Sequence, residues 1–328
     1  MRVLVTGGAG FIGSHLSRRL LANGHAVSVV DNEFNGRREN VPAGASFHFD
    51  DVTRPAEVEP IFARGLDAIC HIAGQVSIIR SFSDPVADLR TNVEGTLKIL
   101  QLCLKYKVPR LLYASSMTLY GDCRNIPTPE SEPCHPDSYY GITKHAAERY
   151  VHATAMRPDL GFEFRVTSLR MFSVYGPGQA LDNPYQGVLG IFLGNLLRSE
   201  PITIDGDGEQ TRDFVYIDDI VDGWIRALDY PAASGVFNLG GGRSLSINQL
   251  AERAIAAFGH PPGGYKIVRA ATRPGEQRKV QADIRQARSV LGWEPRTTFE
   301  AGLAQTVLWA RQEFAAQPTA AIAREVAR

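Results

Sequence analysis

The chain is poor in cysteine, in long apolar stretches and in any excess of charge, and each shortage narrows the classes of function open to it. Four cysteines stand at 70, 103, 123 and 134, no two of them as a C-x-x-C pair and none with a histidine at metal-ligand spacing. That pattern suits reduced thiols in a cytoplasmic protein rather than a disulfide framework, and no metal site is expected. Lys+Arg and Asp+Glu both number 35, so the formal net charge is +0. The basic excess of a nucleic-acid binder is missing. No apolar run reaches the roughly 18 residues that a membrane helix needs. No charged start leads into a long apolar stretch, so no signal peptide is expected.

What is there is a chain of 328 residues, 44% of them hydrophobic. That length suits a large α/β enzyme or two intimate lobes. Short β-rich runs at 2–6, 26–30, 45–49, 68–72 and 110–114 alternate with helical patterns near 14–23, 86–106 and 139–156. Such alternation implies right-handed crossovers and a parallel sheet covered on both faces. Past about residue 170 the pattern loosens around Gly176-Pro177-Gly178 and Asp205-Gly206-Asp207-Gly208, and helices are expected at 243–258 and 299–315.

Gly7, Gly10 and Gly13 follow the first strand and open a helix. Their spacing is a variant of the dinucleotide fingerprint: one glycine for the tight turn, one for close approach to a pyrophosphate, one for helix–strand packing. The helix N-terminus adds a dipole that favours the anion. Asp31 ends the second strand, where a carboxylate accepts from both adenosine ribose hydroxyls and repels a 2′-phosphate. NAD is therefore expected over NADP, although Arg37 and Arg38 follow closely.

Tyr140 and Lys144 stand four residues apart, on one face of a helix. Ser115 and Ser116 follow the strand at 110–114, on the carboxyl edge where open α/β sheets bind ligands. Taking a hydride from a carbinol requires loss of its O–H proton. A free phenol, with a pKa near ~10, is too weak a base at neutral pH. The Lys144 ammonium and an oxidised nicotinamide are expected to lower that value, with Ser116 holding the substrate oxygen.

With these residues in place the chain resembles the extended short-chain dehydrogenase/reductase family, specifically its nucleotide-sugar epimerases and dehydratases. The motifs are TGGAGFIG at 6–13, DNEFNGRREN at 31–40, HIAGQVS at 71–77, SSMTLYG at 115–121, YGITK at 140–144, LRMFSVYGPGQ at 169–179, GDGEQTRDFVYIDD at 206–219 and RPGE at 273–276. The resemblance covers roughly residues 1–310. It implies a Rossmann doubly wound parallel sheet at 1–170, with 213–240 returning to it. It also implies a smaller C-terminal α/β nucleotide-sugar domain built from 171–212 and 241–318.

The resemblance implies that Ser116, Tyr140 and Lys144 are catalytic. It carries NAD contacts onto Gly7, Gly10, Phe11, Ile12, Gly13, Asp31, Asn32, Asn35 and Gly36. Asp51 and Val52 would face the adenine. Ile72, Ala73, Gly74, Gln75, Asn92 and Ser115 would lie along the cofactor, and Phe172 near the nicotinamide. Substrate contacts fall on Thr118, Ser173, Gly187, Val188, Thr203 and Asp205. Arg212 and Arg273 look like the diphosphate-binding arginines, and Glu276 like the ribose-contacting acid; guanidinium groups suit phosphate oxygens.

Dehydratases of this family place Asp-Glu directly after the catalytic hydroxyl, and its decarboxylases keep a Glu there. Here Met117 and Thr118 occupy those positions. The chain is thus closest to UDP-hexose 4-epimerases, with another 4-keto-forming enzyme as the second reading and a non-catalytic NAD-sensing module as the third. Ser173 stands where the family has Asn, and Asp205 where it has a base-stacking aromatic, so TDP, CDP and GDP stay open beside UDP. The resemblance also implies a homodimer through 86–106 and 139–156, with Leu97, Leu100 and Leu104 at helical spacing.

Overall fold

The structure, a computed structural model, describes residues 1–183, 187–232, 234–272 and 275–326. The chain order begins β1 (Arg2–Thr6), α1 (Phe11–Ala22), β2 (Ala26–Asp31), β3 (Ser46–Phe49), α2 (Pro55–Ala63) and β4 (Ala68–His71). Then come α3 (Ile78–Ser83), α4 (Pro85–Leu89), α5 (Gly95–Lys105), β5 (Arg110–Ser116), α6 (Tyr139–Ala155), β6 (Arg165–Met171) and β7 (Ser173–Tyr175). The remainder is α7 (Val188–Leu197), β8 (Ile202–Asp205), β9 (Thr211–Tyr216), α8 (Ile217–Asp229), β10 (Ser234–Leu239), β11 (Ser244–Ser246), α9 (Ile247–Ala257), β12 (Ile267–Ala270), α10 (Arg285–Leu291) and α11 (Phe299–Val326).

Seven strands form one sheet in the order β10-β6-β5-β4-β1-β2-β3, every neighbouring pair parallel. β4 and β5 are buried along their whole length, as strands covered on both faces must be. Along β1 the alternation is plain: Val3 and Val5 join the core that holds Leu16, Leu20 and Trp224, while Leu4 joins the one that holds Phe62 and Leu100. The strand order reverses between β1 and β4, the point at which an open α/β sheet leaves a crevice at its carboxyl edge. The sheet is thus the Rossmann-like, mostly parallel architecture expected from the sequence. A three-stranded sheet β11-β9-β7 and a two-stranded sheet β12-β8 stand beside it.

Several elements differ from expectation, each for a local reason. The helix after the glycine turn begins at Phe11 rather than near 14, because Gly10 takes the extended N-cap position. The stretch at 86–106 is helical as expected, but not α-helical throughout. Pro85 opens a five-residue α4, and a wide helical turn at Arg90–Glu94 follows, with Asn92 buried, before α5 resumes. At 243–258, Ser244–Ser246 pair with β9 first, and a capping box between Ser246 and Gln249 starts α9 at Ile247. α11 continues well beyond 315. The leucines at 97, 100 and 104 pack on their own core.

Candidate active site

A cavity of about 690 Å³ opens along the carboxyl edge of the large sheet and runs from the glycine turn to Arg212. Its first wall is backbone. Gly7 sits at φ +71°, and a Cβ there would lie 2.7 Å from the Ala73 nitrogen. A Cβ on Gly13 would lie 2.1 Å from the Gly7 carbonyl oxygen. Neither position admits a side chain, so the turn keeps a bare cradle at the N-terminus of α1, where amide groups and the helix dipole suit a pyrophosphate. Asp31 is buried at the end of β2, its Oδ2 accepting from the Ala9 nitrogen at 3.0 Å and its Oδ1 from the Glu33 nitrogen at 2.8 Å. Arg37 pairs instead with Asp182, and Arg38 lies over the Phe47 ring. Neither arginine lines the cavity. The donor set therefore fits NAD rather than its 2′-phosphorylated form.

The catalytic candidates converge on the middle of the cavity. β5 delivers Ser116 at its carboxyl end. Ser138 caps α6, its Oγ accepting from the Gly141 nitrogen at 3.1 Å, and so sets Tyr140 in the first turn and Lys144 one turn on. Ser116 hydrogen-bonds the Tyr140 phenol, and its Oγ also accepts from Thr118 Oγ1 at 2.9 Å. Burial pushes the phenol up to about 12, against the Ser116 bond that pulls it down. Burial brings Lys144 down to about 7, opposed by the charges of Asp88 and Glu148. The Lys144 Nζ lies 4.4 Å from the centre of the Tyr113 ring. The protein alone thus does not acidify Tyr140. The expected lowering rests on Lys144 together with an oxidised nicotinamide, and without the nicotinamide burial prevails.

At the far end, Arg212 on β9 is not paired with its neighbour Asp213. Its Nη2 donates to Glu276 Oε1 at 2.7 Å, and its Nη1 to the carbonyls of Thr211 and Gln277. Asp213 is instead buried beneath it, accepting from the nitrogens of Gly241, Gly242 and Ala282.

Of the residues singled out in the sequence, the cavity brings together Gly7, Gly10, Phe11, Ile12, Gly13, Asp31, Asn32, Asn35, Gly36, Asp51, Val52, Ile72, Ala73, Gly74, Gln75, Ser115, Ser116, Tyr140, Lys144 and Phe172. Ser173, Gly187, Val188, Thr203, Asp205, Arg212 and Glu276 line it too. Two others stand behind the wall. Asn92 is buried, its Oδ1 accepting from the Gln75 nitrogen at 2.9 Å. Thr118 spends its hydroxyl on Ser116. Arg273 lies outside the described residues. The cavity also uses Thr91, Gln179 and Gln210; the last two stand inside motifs quoted above but were not singled out, and Thr91 carries no signal in a single sequence. Among the described residues no group of His, Cys, Asp and Glu could hold a metal ion, and no helix is long and apolar enough to cross a membrane.

The model of the NAD dependent epimerase/dehydratase family matches residues 3–240. UDP-glucose 4-epimerase of Mycolicibacterium smegmatis is 36% identical over 95% of this chain and 99% of its own. UDP-glucuronic acid decarboxylase 1 of Xenopus tropicalis is 36% identical over 95% of this chain and 73% of its own. Among solved structures, the UDP-glucose 4-epimerase of Thermotoga maritima with UDP-glucose superimposes at a TM-score of 0.90, with 37% identity over 95% of this chain and 99% of that one. The Thermus thermophilus UDP-glucose 4-epimerase complex with NAD does so at 0.87, with 34% identity and the same coverage. With a family model over most of its length and relatives of this identity and coverage, the chain belongs to the NAD dependent epimerase/dehydratase family.

Proposed function

We propose that the protein is an NAD-dependent 4-epimerase of a nucleotide-activated hexose, with a UDP-linked sugar as substrate. One observation carries the choice of reaction. The acids lining the cavity are Asp31, Asp50, Asp51, Asp205 and Glu276, and none stands on β5, on the turn after it or on α6. Expelling water from C5–C6 requires an acid beside the reacting carbons; inverting C4 does not.

When bound, NAD⁺ supplies the acceptor and donor of the C4 hydride and places a positive charge in the cavity. The chain's own groups do the rest. Tyr140 takes the O4 proton and gives it back, Ser116 holds O4 in line with that phenol, and Lys144 favours the phenolate by its charge. Arg212 meets the diphosphate, which must compete with Glu276 for it. The Asp31 carboxylate meets the adenosine ribose, and the Phe172 ring supplies an apolar wall.

The similarity to a UDP-glucuronic acid decarboxylase supports a second reading, a 4-keto-forming enzyme that goes on to lose CO₂. Incubating the purified protein with UDP-glucose, UDP-N-acetylglucosamine and UDP-glucuronate, with products read by NMR, separates the two. Inversion at C4 with C6 retained supports the epimerase, and loss of CO₂ or water overturns it.

We also propose that the large sheet with its helices serves the cofactor and the two small sheets serve the nucleotide sugar, that the free thiols suit a reducing cytoplasm, and that the protein works as a homodimer. Val86 and Leu89 on α4 and Tyr139, Ile142 and Tyr150 on α6 are exposed apolar side chains on packed neighbouring helices. Phe82 on α3 extends the patch through its ring contact with Tyr139.

A further inference from the structure

Asp88 on α4 is fully buried, although nothing in the reaction proposed above uses it. Its Oδ2 accepts from Thr143 Oγ1 at 2.6 Å, and its Oδ1 accepts from Gln75 Nε2 at 2.6 Å and Asn92 Nδ2 at 3.1 Å. These donors come from three places that have to keep register. Thr143 lies on α6 between Tyr140 and Lys144, Gln75 belongs to the loop lining the cofactor end of the cavity, and Asn92 sits in the wide turn. All three donors are neutral, so none of them cancels the carboxylate's charge.

Two carboxylates, Asp88 and Glu148, act on Lys144, and their own partners differ. His71 on β4 is buried and held neutral, brought down to about 3 by burial and by Lys144 itself. Tyr113 on β5 offers only its ring face. Tyr140 on α6 is a neutral phenol in the protein alone. Glu148, one turn beyond Lys144, is taken up by Arg170 of β6, whose Nε and Nη2 both bond it, and by the Ser115 hydroxyl. Of the two carboxylates that oppose the burial of Lys144, Glu148 is bonded by a cation of its own and Asp88 is not. Lys144 makes no ion pair with a described carboxylate, so Asp88 acts on it without contact; burial raises the Asp88 carboxyl, and the bonds from Thr143 and Gln75 and the Lys144 charge oppose that.

We propose that Asp88 is a positioning residue: it is the counter-charge of Lys144 and, through Thr143 and Gln75, clamps the cofactor loop to the catalytic helix. The inference rests on the reading of Lys144 as the site's cation, and the clamp and the charge are separable. Thr143→Val removes a bond and keeps the charge. Asp88→Asn removes the charge and keeps one acceptor.

The test reads Lys144 directly, by NMR titration of ¹³C-labelled lysine in the full-length protein without substrate, the resonance being assigned with Lys144→Arg. Asp88→Asn is expected to lower the Lys144 midpoint by at least about one pH unit, Asp88→Glu to restore most of it, and Thr143→Val to leave it in place while weakening NAD binding. In the loaded enzyme the pH profile of kcat should move in the same sense for Asp88→Asn. An unchanged Lys144 midpoint in Asp88→Asn overturns the proposal, as does an equal shift in Thr143→Val. A second measurement needs no variant: the ¹³C carboxyl resonance of Asp88 must report an ionised group while Lys144 is protonated, and a protonated Asp88 at pH 7 sinks the idea. Neither titration depends on turnover, so a failed epimerase assay leaves this result readable.

Discussion

Arg212 and Glu276 hold each other across the substrate end of the cavity, Nη2 to Oε1 at 2.7 Å, with each side chain about one-sixth exposed. The pair keeps a guanidinium ready where two phosphates must bind, and it sets a competitor beside it. Arg212→Ala should raise KM for the nucleotide sugar by about 10²-fold or more, since a charge-assisted bidentate contact is lost. It should also destabilise the fold by up to roughly 3 kcal/mol by leaving Glu276 without its partner, a value discounted for partial exposure. Glu276→Gln keeps a hydrogen bond to Arg212 but replaces the carboxylate expected at the substrate ribose with a weaker neutral acceptor, so UDP should bind about 3- to 10-fold more weakly than to the wild type. Calorimetric titration with UDP decides; equal or tighter binding would mean that the acid serves Arg212 alone.

Tyr140→Phe should cost about 10²- to 10⁴-fold in kcat, the usual worth of a positioned proton-transfer group. A phenylalanine ring fills the same place in the cavity wall, so the fold and NAD binding should survive. Product formation followed by NMR and NAD retention after gel filtration give the two halves of the answer. Retained turnover in this variant would remove Tyr140 from the chemistry.

The buried ammonium leaves a signature in stability. Lys144 is brought down to about 7 by burial, whereas in the unfolded chain it titrates near ~10.4. Between those values the unfolded chain binds more protons than the folded one, so this group's penalty shrinks as pH rises from about 7. The cofactor-free Lys144→Met protein should therefore melt above the wild type at pH 7 and lose that advantage by pH 9 to 10. Paired melting curves in wild type and in an Asp88→Asn background test it: groups that do not face Lys144, the thiols of Cys70 and Cys103 among them, cancel in the difference, and the second background removes the coupled carboxylate. A constant gap between the two proteins across this range would contradict it.

Two glycines separate cradle from ornament. Gly13→Ala drives a methyl into the Gly7 carbonyl, and NAD binding should be lost together with at least about 3 kcal/mol of stability. Gly24 has a positive φ of +79° but open space around it, so Gly24→Ala should cost only about 1–2 kcal/mol of backbone strain and leave NAD binding intact. Urea denaturation and dinucleotide titration of both variants check the contrast.

The exposed patch on α4 and α6 supplies the test of assembly. Leu89→Arg, placed where Leu89 is 52% exposed, should leave the monomer folded and convert a dimer to monomers in light scattering. A wild-type protein that already runs as a monomer would refute the dimer.

Much of the site was legible because its chemistry is local in sequence. The turn at 7–13, the acid at the end of β2, the hydroxyl at the end of β5 and the Tyr140–Lys144 step on α6 each follow from one element and its terminus. What stayed hidden depends on contacts between distant segments. Leu97, Leu100 and Leu104 have helical spacing, but a stripe does not say whether its partner is the chain's own core or another copy. The wide turn inside 86–106 is set by tertiary contacts: its buried Asn92 finds its partners on the Gln75 loop and on α6. Arg212 has an acid beside it in sequence and bonds another 64 residues away. The burial that raises Tyr140 in the absence of cofactor likewise comes from several segments closing over it and is not written in the Tyr140–Lys144 step.

β10, the edge strand of the large sheet, is laid down only after the chain has built β7, β8 and β9 elsewhere. A fragment stopping near residue 171 would end with β6 at the rim, its amide row bare and six of its seven residues buried in the intact protein. Such an edge invites pairing with its like. Expressed alone, the first half should stick to itself in the test tube, and anyone trimming the gene to isolate a cofactor-binding piece would need to carry the stretch through Leu239 along with it.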